Sequence, residues 1–138
     1  MFDRCLYFNS TALARTVERA WMGAFRQFDL TPPQAFCLRA VLARAPVRPA
    51  QLAEILGIAR ATVTRLLDHL EKKRLIARQA QSSDNRELLV VPTKKALAQR
   101  TAIERASAAM TAKMKRLLGE QEFDRIVDEL GFVRNVLL

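Results

Sequence analysis

The sequence has few of the residues on which most enzymes and metalloproteins depend. Among 138 residues there are one histidine, two cysteines and four glycines. Cys5, Cys37 and His69 do not have the spacing of a four-ligand metal site. The sequence also has no glycine-rich phosphate loop, nucleophile elbow or paired acid and base. We therefore expect no metal, no cofactor and no catalytic residue, and the sequence predicts a protein that is not an enzyme.

Long apolar runs are also missing. No stretch without a charged residue exceeds ten residues, whereas a membrane-spanning helix needs about 20. The N-terminus begins Met1-Phe2-Asp3-Arg4 and lacks the apolar core of a signal peptide. These absences predict a cytoplasmic protein without a membrane partner. Because half of the residues are hydrophobic, a chain of this length can form the core of a single domain, residues 1–138.

Positive charge is plentiful and unevenly distributed. The formal net charge is +9 and the isoelectric point is about 10.6. Residues 60–100 carry ten Lys and Arg against four Asp and Glu, whereas residues 101–138 carry six of each. A basic membrane-surface protein would place such charge opposite a large apolar face, which this region lacks. The distribution instead favours a polyanionic partner such as double-stranded DNA.

Two short helices on either side of Gly57 are predicted within residues 49–72. The first buries Leu52, Ala53 and Leu56, and Gly57 provides a turn that needs positive φ. The second, residues 60–72, places Val63, Leu66, Leu67 and Leu70 on one face at helical spacing. Its other face carries side chains that suit a DNA major groove, where Arg binds guanine acceptors and Thr contacts base edges. These candidate DNA-binding residues are Arg60, Thr62, Thr64, Arg65 and His69.

A polar β-hairpin follows the second helix. Leu75, Ile76 and Ala77 begin one strand, residues 82–85 provide turn residues, and residues 88–91 form an apolar return strand closed by Pro92. We predict that Arg86 reaches a phosphate or the minor groove, with Asp84 accepting from its guanidinium. An ordinary turn ion pair, which contributes little, is the alternative. Ser83, Asp84 and Arg86 are therefore the candidate DNA-binding residues of the hairpin.

The order of these elements resembles the MarR family of transcription regulators. The resemblance rests on LTPPQAFCLRAVL, QLAEILGIARATVTRLLDHLEKKRLI, the Asp84-x-Arg86 motif and PTKKALA. It implies a mainly α fold with a small β-hairpin wing, in which residues 31–92 form a winged helix-turn-helix. The family commonly has glycine where this chain has Arg74, so either Arg74 is left-handed or the recognition helix ends differently. Arg48 and Ala59 are poor N-caps, so their helices must depend on tertiary packing.

The remaining helices are typical of a dimerisation region comprising residues 1–30 and 93–138. Residues 10–28 form an amphipathic helix, Thr31 caps the next helix, and residues 93–118 form a helix of roughly 37 Å. A last helix follows Gly119. So long a helix exceeds what a small head needs, so we expect a two-fold homodimer with recognition helices about 34 to 36 Å apart. A monomer that folds its long helix back on itself is the alternative.

Two sensor mechanisms remain open at this point. Peroxide-sensing members of the family have a reactive cysteine in a region comparable to Cys5, whose oxidation would add a polar group. Many members instead bind a small aromatic ligand in a cleft between the dimer helices and the head. Cys5 and the aromatic positions also suit ordinary packing, and Cys37 is predicted to be core. The ligand or sensor candidates are Cys5, Trp21, Phe25, Phe28, Phe36 and Arg39.

Together these features predict a sequence-specific DNA-binding transcriptional regulator. We expect a repressor that binds a palindromic operator as a homodimer and is released by a small ligand or an oxidant. The alternative is a non-specific architectural DNA-binding protein that uses the same basic face without a ligand switch.

Overall fold

The computed structural model is mainly helical with one two-stranded antiparallel sheet, which confirms the predicted fold class. It describes residues 1–81 and 84–138, with only the backbone at residues 81 and 84–87. The described chain forms two compact units, Met1–Glu104 and Arg105–Leu138. In chain order the elements are α1 (Leu6–Phe25), a 3₁₀ helix (Arg26–Phe28), α2 (Pro32–Arg44), α3 (Pro49–Leu56), α4 (Arg60–Lys72), β1 (Ile76–Gln81), β2 (Asp84–Pro92), α5 (Lys94–Leu118) and α6 (Glu120–Leu137).

The core of the first unit lies where α2, α3, α4 and the hairpin meet. Leu38 of α2, Leu52 of α3 and Leu70 of α4 are fully buried. Each such side chain contributes about 1.5 to 3 kcal/mol by leaving water. Phe25 closes the core from α1, and Ile103 closes it from α5. This packing fixes the angle between α3 and α4, as in a helix-turn-helix.

The helix starts show how local chemistry places these elements. At α2, the Gln34 backbone N–H donates to Thr31 Oγ1 at 3.4 Å, and the Thr31 N–H donates to Gln34 Oε1 at 3.2 Å. This capping box confirms Thr31 as the cap. At α3, Gln51 Oε1 accepts from the Arg48 backbone N–H at 3.0 Å, and α4 has no side-chain cap at Ala59. The prediction of a start without local capping is therefore confirmed for α4, whereas for α3 it is wrong, because Gln51 caps the backbone N–H of Arg48.

The first helix begins four residues before the predicted start. Ser10 and Thr11 lie inside α1, where their hydroxyls donate to the Tyr7 carbonyl at 3.1 and 2.8 Å. The side chain of Asn9 also donates to the Cys5 carbonyl at 2.8 Å. Ser, Thr and Asn commonly cap helices, but here their side chains bond to carbonyls of the preceding turn and the residues lie inside the helix. At its other end α1 gives way to the 3₁₀ helix, after which Asp29 has a left-handed φ of 55°.

The hairpin is longer than the sequence predicts. β1 and β2 pair in antiparallel register from Ile76 opposite Pro92 to Gln81 opposite Asp84. Asp84 and Asn85 belong to β2, so their assignment to the turn is wrong; Ser82 and Ser83 lie outside the described residues. Val47, between α2 and α3, bridges to Val90. Its N–H donates to the Val90 carbonyl at 3.1 Å, which ties the hairpin to the core.

The second unit contains the end of α5 and all of α6. Gly119 separates them with a φ of 88°, in a region that favours glycine. Lys115 Nζ lies 3.7 Å from Glu120 Oε1, 3.5 Å from Asp124 Oδ1 and 5.4 Å from the centre of the Phe123 ring. These contacts stabilise the turn between the two helices. The predicted helix after Gly119 is confirmed as Glu120–Leu137.

Candidate nucleic-acid interface and adjoining cleft

The recognition helix α4 has the predicted bounds and the predicted buried stripe. Val63, Leu66, Leu67 and Leu70 are buried, and the preceding turn is formed by Gly57 with a φ of 64°. Because these four side chains anchor one face, the opposite face points away from the core. Arg60, Thr64, Arg65 and His69 lie exposed there, whereas Thr62 is half-buried.

The polar side chains near the start of α4 have partners within the helix. The Thr64 hydroxyl donates to the Arg60 carbonyl at 3.1 Å. Arg65 Nη2 donates to Thr62 Oγ1 at 3.5 Å, a long hydrogen bond. Thr64 therefore offers its methyl group and an acceptor oxygen outward, while Arg65 has a guanidinium with most of its donors unspent.

Arg78 of β1 joins the wing to the recognition helix. Its Nη2 donates to Asp68 Oδ1 at 2.8 Å and its Nη1 donates to Glu71 Oε2 at 3.0 Å. The Arg78 side chain is only 20% exposed, so this pairing is partly shielded from water. It also neutralises the two acidic residues of α4 and leaves the positive charge of that helix uncompensated. The sequence analysis did not identify Arg78. Two carboxylates one turn apart on α4 could have indicated that a basic side chain pairs with both.

A second group of contacts fixes the end of α4. Lys73 Nζ donates to the Asp29 carbonyl, lies 3.5 Å from Asp29 Oδ2 and 3.4 Å from Gln34 Oε1. Arg74 has a φ of 58°, so of the two predicted alternatives the left-handed one is correct. Thr93 Oγ1 donates to the Arg74 carbonyl at 2.7 Å. These bonds hold in place a conformation that normally favours glycine.

The candidate residues of the wing are described only in part. Asp84 and Arg86 lie on β2, where their backbone is described but their side chains are not. Ser83 lies outside the described residues. The predicted contact of Arg86 with Asp84 and its reach to DNA therefore stay predictions.

An open apolar cleft of about 710 Å³ adjoins the recognition helix. Four elements and the α3–α4 turn line it: α1 through Trp21 and Glu18, α2 through Phe36, α3 through Ile55, and α4 through Leu66. A volume of 300 to 1,000 Å³ is typical of small-molecule sites. The cleft therefore falls within this range of volumes and adjoins α4 through Leu66.

Aromatic rings form the wall of this cleft. The Trp21 and Phe36 centroids are 5.5 Å apart in an edge-to-face arrangement, and Phe25 lies 5.8 Å from Trp21 and 6.0 Å from Phe36. Phe36 is 39% exposed and lines the cleft, whereas Phe25 is fully buried and is not part of the lining. Of the predicted aromatic candidates, Trp21 and Phe36 line the cleft and Phe25 supports them. Phe28 is half-buried and faces a different surface depression, beside Gln99.

The comparisons with known proteins agree with this geometry. The family model described as MarR family matches residues 30–88. Over these residues the winged helix-turn-helix segment is similar to the MarR family. No curated protein matches the chain.

Solved structures with the same fold cover nearly the whole chain. A transcriptional repressor, CouR, bound to a 23-mer DNA duplex is 23% identical with a TM-score of 0.87, over 96% of this chain and 94% of that chain. MepR of S. aureus in a DNA complex is 22% identical with a TM-score of 0.85, over 96% and 97%. The transcriptional regulator SlyA is 22% identical with a TM-score of 0.83, over 96% and 94%. At these identities the likeness establishes a MarR-like fold.

Arg39, another predicted ligand candidate, contacts Phe36, with its guanidinium 4.9 Å from the ring centre. Its Nε and Nη2 donate to Glu104 Oε1 and Oε2, both at 2.9 Å. This hydrogen bond holds the pKa of the Glu104 carboxyl below its ordinary 4.5. Arg39 is therefore already paired and does not line the cleft.

The two cysteines differ in environment. Cys5 is exposed and directly precedes α1. Cys37 is buried in the core as predicted, and burial raises the pKa of its thiol to about 11. Cys37 therefore stays protonated at neutral pH.

None of the described helices is long and apolar enough to cross a membrane. Across residues 1–81 and 84–138, no three His, Cys, Asp or Glu side chains are grouped to hold a metal ion.

Proposed function

We propose that this chain is a homodimeric, sequence-specific DNA-binding transcription regulator that represses from a palindromic operator. The observation that carries the proposal is the arrangement of α4. Its apolar stripe is buried, its acidic residues Asp68 and Glu71 are paired with Arg78, and its outward face presents Arg60 and Arg65. A helix of this kind suits a major groove. The DNA complexes of CouR and MepR support the same use of the fold.

Exposed apolar side chains in both units support the homodimer. In the first unit Phe2, Leu6 and Tyr7 are at least half exposed, and in the second Leu117, Val127 and Leu130 are 49 to 75% exposed. So many large apolar side chains left in water favour an interface that covers them. A second copy of the chain would cover it and place two α4 helices on one face of the duplex. Sedimentation of the purified protein tests this step, and a monomer would contradict it.

Release of DNA is proposed to follow occupation of the cleft or oxidation of Cys5. A ligand against Trp21 and Phe36 would lie beside Leu66 of α4. A coupling of about 1 to 3 kcal/mol between the two sites is typical of such switches. A regulator that binds the chromosome acts in the cytoplasm, so that location is part of the proposal.

Selection of bound sequences from a random duplex pool, followed by binding at two salt concentrations, tests the function. The proposal expects a two-fold symmetric site with half-sites one helical turn apart, bound at least about 10³ times more tightly than random DNA. An architectural DNA-binding protein would enrich no sequence and would show only a salt-dependent affinity. That result would overturn the proposal.

A further inference from the structure

Among the described residues that line the cleft, one is acidic and none is basic. Of the eleven described residues that line it, Glu18 is the only one with an ionisable side chain. It lies exposed on α1, on the same cleft wall as Trp21. Among the described residues, no lysine or arginine forms a salt bridge with Glu18. The mouth of the cleft thus carries one uncompensated negative charge.

No lysine or arginine is among the described residues that line the cleft. Arg39 lines an adjoining depression, and its guanidinium holds Glu104 with two hydrogen bonds. On α1, Arg19 follows Glu18 and Arg15 lies one turn before it; both are exposed and outside the lining. An anionic ligand would therefore lose hydration without gaining a cation from the lining, and would also meet the Glu18 carboxylate.

A positively charged ligand would be attracted by the groups that line the cleft. Glu18 offers a carboxylate, and the Trp21 ring on the same wall attracts a cation through its quadrupole. The remaining wall, from Val17, Ile55, Leu56 and other apolar residues, suits a hydrophobic body. The apolar wall of the cleft and its one carboxylate therefore favour the same class of ligand, a hydrophobic molecule with a positive charge.

We propose that the cleft binds a hydrophobic ligand with one positively charged nitrogen in preference to an anion of the same shape, and that Glu18 determines this preference. The inference rests on the proposed ligand-released regulator, because it names the ligand class for that cleft. The overall charge of +9 acts in the opposite direction at long range, so a preference for the cation has to come from local groups.

The chain contains its own reporter for the test, because Trp21 is its only tryptophan. The full-length protein is titrated with three probes of matched shape, namely para-tert-butylbenzylamine as cation, para-tert-butylbenzyl alcohol as neutral compound and para-tert-butylbenzoate as anion. Tryptophan fluorescence reports occupancy. We expect the amine to bind about tenfold more tightly than the benzoate, a difference of about 1.4 kcal/mol.

Glu18→Gln keeps the size of the side chain and removes its charge. This variant should lose the preference for the amine while its affinity for the alcohol stays the same. Glu54→Gln, on an exposed α3 residue outside the lining, removes the same charge and should keep the preference. Equal or tighter binding of the benzoate, a preference that survives in Glu18→Gln, or no fluorescence response to any probe would each overturn the inference.

These titrations contain no DNA, so their outcome is independent of operator binding. The same probes are then added to the operator complex. Charge preference in the free protein without any effect on the complex would contradict the release step of the proposed function and leave the ligand class intact. Sequence-specific DNA binding without charge preference would contradict the ligand class and leave the proposed DNA-binding function intact.

Discussion

Arg78 on the first wing strand and Asp68 on the recognition helix are joined by a hydrogen bond of 2.8 Å from Nη2 to Oδ1. The same guanidinium donates to Glu71 one turn further along the helix. A rigid planar group that holds two carboxylates fixes direction as well as distance. The wing and the recognition helix are therefore held together as one unit, and the charge of Arg78 is neutralised within the protein.

Arg78→Met should weaken operator binding although Arg78 itself is paired away from DNA. The change frees the wing from α4 and leaves Asp68 and Glu71 as uncompensated negative charges beside the DNA-facing surface. We expect a loss of about tenfold or more in affinity, measured by fluorescence anisotropy well below the melting temperature. Arg44→Met, on an exposed residue of α2, removes the same charge as a control. Equal affinities for the two variants would show that only net charge matters.

Arg65→Ala should distinguish base contacts from phosphate contacts. If the unspent donors of Arg65 bind a base edge, the change costs about 1 to 3 kcal/mol on the selected operator and much less on random DNA. Arg134→Ala on α6 provides the charge-matched control. Equal losses on both DNAs would make Arg65 a phosphate contact, and the slope of affinity against salt would then fall by about one contact.

The recognition helix could be predicted from sequence because its signals are local. The apolar spacing of Val63, Leu66 and Leu70 and the glycine at position 57 each depend on neighbours within one or two helical turns. Contacts across the fold were not predictable in this way. The pairing of Lys73 with Asp29 joins residues 44 positions apart, and it depends on how α4 meets the segment before α2.

Some residues that line the cleft could be named from the sequence, but the cleft itself could not be predicted. Trp21 and Phe36 were named because aromatic residues at helical spacing suit either a core or a ligand site. Phe25 has the same spacing yet is fully buried. What separates them is the packing of α1 against α2, which no short-range pattern specifies. The sequence analysis did not name Glu18 as a cleft residue, because an isolated carboxylate on an amphipathic helix ordinarily lies on the solvated face of that helix.

The two cysteines should differ sharply toward thiol reagents. At neutral pH we expect iodoacetamide to modify Cys5 in the folded protein and Cys37 only after denaturation, because burial raises the pKa of Cys37 to about 11. Mass spectrometry of the intact protein counts the modified thiols. If the proposed oxidant response is real, Cys5→Ser abolishes it and Cys37→Ser does not. Rapid modification of Cys37 in the folded state would contradict its place in the core.

The pairing of Arg39 with Glu104 should make part of the stability depend on pH. Because Arg39 lowers the pKa of Glu104 from its ordinary 4.5, the ion pair stabilises the folded state above that value. This contribution is lost as the pH falls through the lowered folded-state pKa, where the carboxyl becomes protonated in both states. Wild type should therefore melt at a higher temperature than Glu104→Gln at pH 7, and the difference should shrink as the pH falls well below 4.5.

Arg39→Gln provides the matched variant for this experiment. It removes the other partner and also the contact with the Phe36 ring, so it should retain a loss of stability at low pH that Glu104→Gln does not show. Melting curves of the three proteins across the pH range separate the charge pair from the ring contact. A constant difference between wild type and Glu104→Gln at every pH would mean that Glu104 contributes through packing alone. Because Phe36 also lines the cleft, the ring contact also predicts that a cleft ligand raises the melting temperature less in Arg39→Gln than in Glu104→Gln.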